Sequence, residues 1–106
     1  MGYTTAETKV AKDVLKYLDE LIKGGAPLFY EHRSGSGGLN YKKGIPDFYI
    51  VINGMHVEVE LKAADGHLST MQEKFKYRCE KIWHIPYCCP HSLEEFKKFF
   101  EGFLCK

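Results

Sequence analysis

The sequence of 106 residues contains no apolar run near the roughly 20 residues that a membrane-spanning helix needs. Its start, Met1-Gly2-Tyr3-Thr4-Thr5, lacks the charged segment followed by an apolar stretch that marks a secretory signal. A cytoplasmic protein with no membrane partner is therefore expected. Neither sign of charge is in excess, since 15 basic and 14 acidic residues leave a net charge of +1. A balanced total excludes a uniformly basic nucleic-acid coat but not a local basic patch. The four cysteines, Cys79, Cys88, Cys89 and Cys105, lack the paired two-residue spacing of a zinc site. Adjacent Cys88 and Cys89 point to opposite sides of an extended chain, so reduced thiols filling a terminal strand are expected. A zinc cluster using His84, Cys88 or Cys89, and His91 is the competing reading. There is no internal repeat, low-complexity tract or linker, and the length suits one domain spanning residues 1–106.

What is present centres on residues 44 to 62. Two apolar-rich runs flank Asn53-Gly54, a dipeptide suited to a two-residue hairpin turn because both of its positions need positive φ. With Ile52 facing Met55, the register pairs Val51 with His56, Ile50 with Val57, Tyr49 with Glu58, Phe48 with Val59 and Asp47 with Glu60. Side chains alternate across a strand, so Phe48, Ile50, Ile52, Met55, Val57, Val59 and Leu61 share one apolar face. The other face carries Asp47, Tyr49, Val51, His56, Glu58, Glu60 and Lys62. Two carboxylates directly opposed repel each other. A divalent cation held by oxygen ligands offsets that repulsion, and Lys62 lies on the same face, near whatever the cation binds.

Around this hairpin the chain reads as α-β-β-β-α-β-α. Apolar residues from Ala6 to Ile22 recur at helical spacing until Gly24-Gly25, which predicts a first helix over residues 5–23. Glu7 lies on its packed side, either closing a capping box with Thr4 or standing near the metal. Residues 27–33 read as a strand, and Ser34 to Gly38 as a loop with Arg33, Lys42 and Lys43 at its margins, suited to a nucleic-acid backbone, although its composition by itself favours a solvated surface loop. Ser69 and Gln72 form a capping box that opens a second helix running to about Lys81. Its basic character makes Lys74 a candidate DNA contact, although a charge run on a helix is usually a solvated face. Residues 83–89 read as a last strand with Pro86 leaving its pairing irregular, and Ser92 to Glu95 open a third helix.

Gly44-x-Pro46-Asp47, Glu60-x-Lys62 and Gly66-x-Leu68-Ser69-x-x-Gln72 in this element order resemble the PD-(D/E)xK nuclease superfamily, and within it the virus-type replication-repair nuclease domain, VRR-NUC. The match spans about residues 5 to 100 and looks like a stand-alone form such as phages carry, acting in the cytoplasm of a bacterial host. The resemblance implies an α/β fold with a restriction-endonuclease-like core, its central mixed sheet flanked by helices. It implies that Asp47, Glu60 and the carbonyl of Leu61 hold Mg²⁺ or Mn²⁺, that Lys62 orients or helps deprotonate the attacking water, and that Glu7 and Gln72 assist. His67 and Ser69 would contact the nucleic-acid backbone. The implied activity is DNA endonuclease cleavage of duplex or branched substrates, as a homodimer and with no small-molecule cofactor. A non-catalytic nucleic-acid-binding subunit of the same fold is the alternative.

Overall fold

The computed structural model describes residues 5–33 and 44–104. Helix α1 spans Thr5–Lys23, followed by strands β1 (Leu28–His32), β2 (Phe48–Ile52) and β3 (Met55–Val59). Helix α2 (Thr70–Tyr77) runs directly into a π-helical turn, Arg78–Trp83, before the short strand β4 (Tyr87–Cys88) and helix α3 (Leu93–Leu104). The four strands form one mixed sheet in the order β1-β2-β3-β4, with β1, β2 and β3 antiparallel and β4 parallel to β3. A parallel neighbour needs a crossover connection, which α2 and the π-helical turn supply.

The hairpin register is the one the sequence predicts: Ile52 faces Met55, and the pairing runs without a bulge to Phe48 opposite Val59. Asn53 and Gly54 take φ of 51° and 78°, the left-handed pair that a tight antiparallel turn requires. The Asn53 side chain also donates to the carbonyl of Phe103 at 2.9 Å, tying the turn to the end of α3.

One face of the sheet makes the core. Phe48, Ile50, Ile52, Val57, Val59 and Leu61 are buried against Val10, Ala11, Val14 and Leu18 of α1 and Phe96 and Phe100 of α3. Each such side chain, fully buried, contributes about 2 kcal/mol of transfer free energy. Met55, at the turn, is only partly covered. The two α3 rings stack with centroids 5.1 Å apart. Helix α2 serves the opposite face, where Gln72 reaches Glu60 and Cys79 is fully buried.

The last strand is shorter than expected. Trp83, read as its first residue, is instead the last residue of the π-helical turn, because its ring packs edge-on against Phe75 of α2 at 5.8 Å. His84 then turns left-handed, with φ of 55°, and its N–H bonds back to the Cys79 carbonyl. Only after that reversal does the chain join β3, with Pro86, Cys88 and Pro90 carbonyls accepting from the Glu58, Glu60 and Lys62 N–H groups. Both prolines need only their carbonyls here, so an edge strand tolerates them.

Candidate functional site

Asp47 precedes β2 and Glu60 follows β3, each one residue beyond the last paired position. They flank that end of the hairpin on the face opposite the core. The Asp47 carboxylate is fixed by its own hairpin, since the Leu61 N–H donates to Oδ2 at 2.8 Å. Its backbone is fixed by β1, whose Arg33 N–H donates to the Asp47 carbonyl at 2.8 Å.

Glu60 is held from α2. Ser69 caps that helix by accepting from the Gln72 N–H at 3.2 Å, while the Gln72 side-chain oxygen accepts from the Ser69 N–H at 2.8 Å. The same amide's Nε2 is then left to donate to Glu60 Oε2 at 3.0 Å. One glutamine closes the capping box and orients the acid. Lys62 places its Nζ 3.9 Å from Glu60 Oε2, and its side chain is 14% exposed.

Glu60 is buried and Asp47 half-buried, and the pair resists carrying two charges. Burial first, and then the charge of Asp47, push Glu60 up to about 8, against the pull of Lys62. Burial also raises Asp47, opposed by the Leu61 N–H, by Glu60 and by the charges of His32 and Lys62. A like-charged pair in one site shares a proton in this manner. Glu7 of α1 belongs to the same field, because its charge also raises Glu60. Glu60 Oε1 is buried with no donor from any described residue. Such an oxygen, beside a second carboxylate, is satisfied by a proton, a cation or a bound water.

The remaining expected residues are placed as follows. Leu61 is buried at the site and its N–H serves Asp47. Arg33, expected at a nucleic-acid backbone, is instead committed to the protein: its guanidinium donates to both oxygens of Glu58, at 2.6 and 3.0 Å, and to the Pro46 carbonyl at 3.1 Å. The Ser69 hydroxyl, expected at a phosphate, is taken up by the cap. His67 is exposed in the loop before α2. Lys74 is exposed too, roughly 200° around α2 from Gln72, so the helix turns it away from the acids. Lys42, Lys43 and the loop from Ser34 lie outside the described residues, as does the Thr4 partner of the capping box expected for Glu7.

Sequence reasoning did not anticipate the framework beside the acids. Glu58 is buried and held by Arg33 on one side and by His56 on the other, whose Nε2 lies 2.6 Å from Oε2. The Tyr49 ring packs under the Arg33 guanidinium at 5.0 Å and stacks on His56 at 4.8 Å. Only the extra acid at position 58 was visible as a signal, since its partner lies two strands away. Tyr87 is a second omission, buried on the same side of the sheet with a hydroxyl that has no partner among the described residues. Among the described residues, no three His, Cys, Asp or Glu side chains gather in a group fit for a metal. Cys79, Cys88 and Cys89 are free, and burial pushes their thiols up to about 11, 12 and 11. The zinc reading thus has no cluster to rest on.

No family model and no curated protein matches the sequence. Among solved structures, one described as "VRR_NUC domain" superposes with a TM-score of 0.73 over 94% of this chain and 99% of that one. The chain has the VRR-NUC fold. At 20% identity the likeness concerns backbone architecture, and within it the VRR-NUC expectation of a mixed sheet between helices holds. Among the described residues, no helix of this VRR-NUC fold is long and apolar enough to cross a membrane.

Proposed function

We propose that this chain is a divalent-metal-dependent DNA endonuclease of the PD-(D/E)xK type. The observation that carries the reading is the end of the β2–β3 hairpin, where Asp47 and Glu60 face each other with Lys62 3.9 Å from Glu60 and Gln72 bonded to it. A buried carboxylate, Glu60, repelled by a half-buried one, Asp47, is costly to keep unless the pair binds something positive. The donor set is all oxygen: the two carboxylates and the Leu61 carbonyl. Such a set suits hard cations, and Mg²⁺ or Mn²⁺ is commonly held by one or two carboxylates with water and substrate phosphate completing the shell. When bound, the cation supplies charge neutralisation on the phosphoryl group and a hydroxide-like nucleophile near neutral pH.

The chain's own residues then divide the work. Asp47 is pre-oriented by the Leu61 N–H and Glu60 by Gln72, so neither needs to reorganise on binding. Lys62 lies beside Glu60, where as an ammonium it orients the attacking water and as a neutral amine it takes that water's proton. Glu7 adds a second negative charge from α1. One chain carries one such site, so cutting both strands of a duplex or of a branched junction takes a pair of chains, and we include the homodimer in the proposal.

The test is a cleavage panel of linear duplex, flap, four-way junction and supercoiled plasmid, each with Mg²⁺, Mn²⁺ or chelator. Wild-type protein is expected to cut at least one substrate with metal and none with chelator. Asp47→Ala and Lys62→Ala, shown to be folded, are expected to lose at least about 100-fold in rate. Cleavage by either variant at the wild-type rate would remove the proposal.

A further inference from the structure

Tyr87 is 7% exposed, and its hydroxyl has no hydrogen-bond partner among the described residues. Buried hydroxyls are almost always paired, so an unpaired one calls for an explanation. In the parallel register Tyr87 stands opposite Glu58 and Cys88 opposite Val59. Side chains on neighbouring strands in register share a face, which puts Tyr87 on the side that carries Glu58 and Glu60, opposite the core. The charge acting most strongly on its phenol is that of Glu60, with Asp47 also contributing, after burial itself, which raises the phenol further. Glu60, two residues beyond Glu58, lies on that same face of the sheet. Among the described residues, Glu60 Oε1 is the other buried side-chain polar atom without a partner. Among the described residues no hydrogen bond joins these two atoms directly, but a buried phenol and a buried carboxylate oxygen on one face of the sheet offer the two polar partners that a structural water needs at the least.

The geometry points to Tyr87 as a positioning residue: its hydroxyl and Glu60 Oε1 hold one water molecule between them, and that bridge fixes the Glu60 carboxylate in the orientation in which it meets a cation. Gln72 holds the opposite oxygen, Oε2, so the acid is gripped from both sides. The inference rests on the reading of Asp47 and Glu60 as cation ligands.

Tyr87→Phe removes the hydroxyl and keeps the ring. Mn²⁺ is titrated calorimetrically, without DNA, into wild-type protein, Tyr87→Phe and Asp47→Ala. Wild-type protein is expected to bind, Asp47→Ala to fail, and Tyr87→Phe to bind about tenfold more weakly, the usual effect of removing a group that orients a ligand. The melting temperature of metal-free Tyr87→Phe is expected not to rise. A hydroxyl that is merely buried and unpaired gives the opposite pattern, a raised melting temperature with unchanged Mn²⁺ affinity, and that result overturns the inference. If wild-type protein itself binds no Mn²⁺, the metal reading falls and this one falls with it. Should the variant fail to fold, a high-resolution crystal structure of the wild-type protein decides. A water within hydrogen-bond distance of both atoms supports the bridge, and a hydroxyl without one overturns it.

Discussion

Arg33 stands just past the end of β1, and its side chain makes contacts that a loop residue reaching for phosphate would not. The guanidinium meets Glu58 with two parallel bonds, at 2.6 and 3.0 Å, while side-chain exposures are 26% and 6%. Bidentate geometry of this kind is the strong form of an ion pair. Removing Arg33 leaves the buried Glu58 charge to His56 and strips it of its two guanidinium bonds, which costs more than the pair contributes. Arg33→Ala is therefore expected to lose about 3 kcal/mol of stability in urea denaturation. Part of that loss should appear at the site, because the Arg33 guanidinium and backbone N–H hold the Pro46 and Asp47 carbonyls. A loss below about 0.5 kcal/mol, the range of ordinary surface substitutions, would show that Arg33 is free for nucleic acid after all.

Among the elements, α2 is the one whose placement decides whether the site exists. Its capping box is legible in Ser69-x-x-Gln72, because the spacing states which N–H groups each side chain can reach. That the same Gln72 also touches Glu60 is not legible, since the two residues meet only when the helix is laid against β3. Gly44 sets that distance. It has φ of +90°, and a Cβ there would lie 2.4 Å from the Met71 carbonyl oxygen and 3.0 Å from the Gln72 nitrogen. Both are backbone atoms at the start of α2, so they can give way only by moving the helix. Gly44→Ala should thus cost at least about 2 kcal/mol of stability and weaken Mn²⁺ binding by displacing Gln72. Calorimetry and denaturation on the same preparation check both effects. A variant that keeps wild-type affinity would show that α2 does not need this close approach. The misplaced strand boundary at Trp83 has the same origin. Aromatic and β-branched residues favour a strand locally, but contact with Phe75 eight positions earlier keeps the segment helical.

On the scale of the whole molecule, the acid pair couples folding to pH. Glu60 holds its proton up to about pH 8 in the folded chain, whereas a carboxyl in an unfolded chain loses it near pH 4.3. Between those values the folded state binds more protons than the unfolded one, so stability falls as pH rises through that window. In chelator, the protein is expected to be less stable at pH 8 than at pH 5, by an amount on the order of 3 kcal/mol. Glu60→Gln should remove most of the slope, and Mn²⁺ should restore stability at pH 8 by favouring the ionised form. A metal-free protein equally stable at both values would mean that the acids ionise freely, and that nothing forces a cation between them.

The sequence by itself determined the parts whose physics is local. Asn53-Gly54 fixes a two-residue turn, the turn fixes the register, and the register alone brings Asp47 and Glu60 to one end of one hairpin, with an apolar face behind them. Capping signals placed α2, and helical spacing placed α1 and α3. Tertiary structure decided everything that depends on which distant surfaces touch. It spent Arg33 on Glu58 across three strands, turned Lys74 away from the acids, laid Gln72 on Glu60 and set Tyr87 opposite Glu58 at the sheet edge. Burial, which pushes Glu60 towards neutrality, belongs to the same group, because no residue's desolvation is written in its own neighbours along the chain.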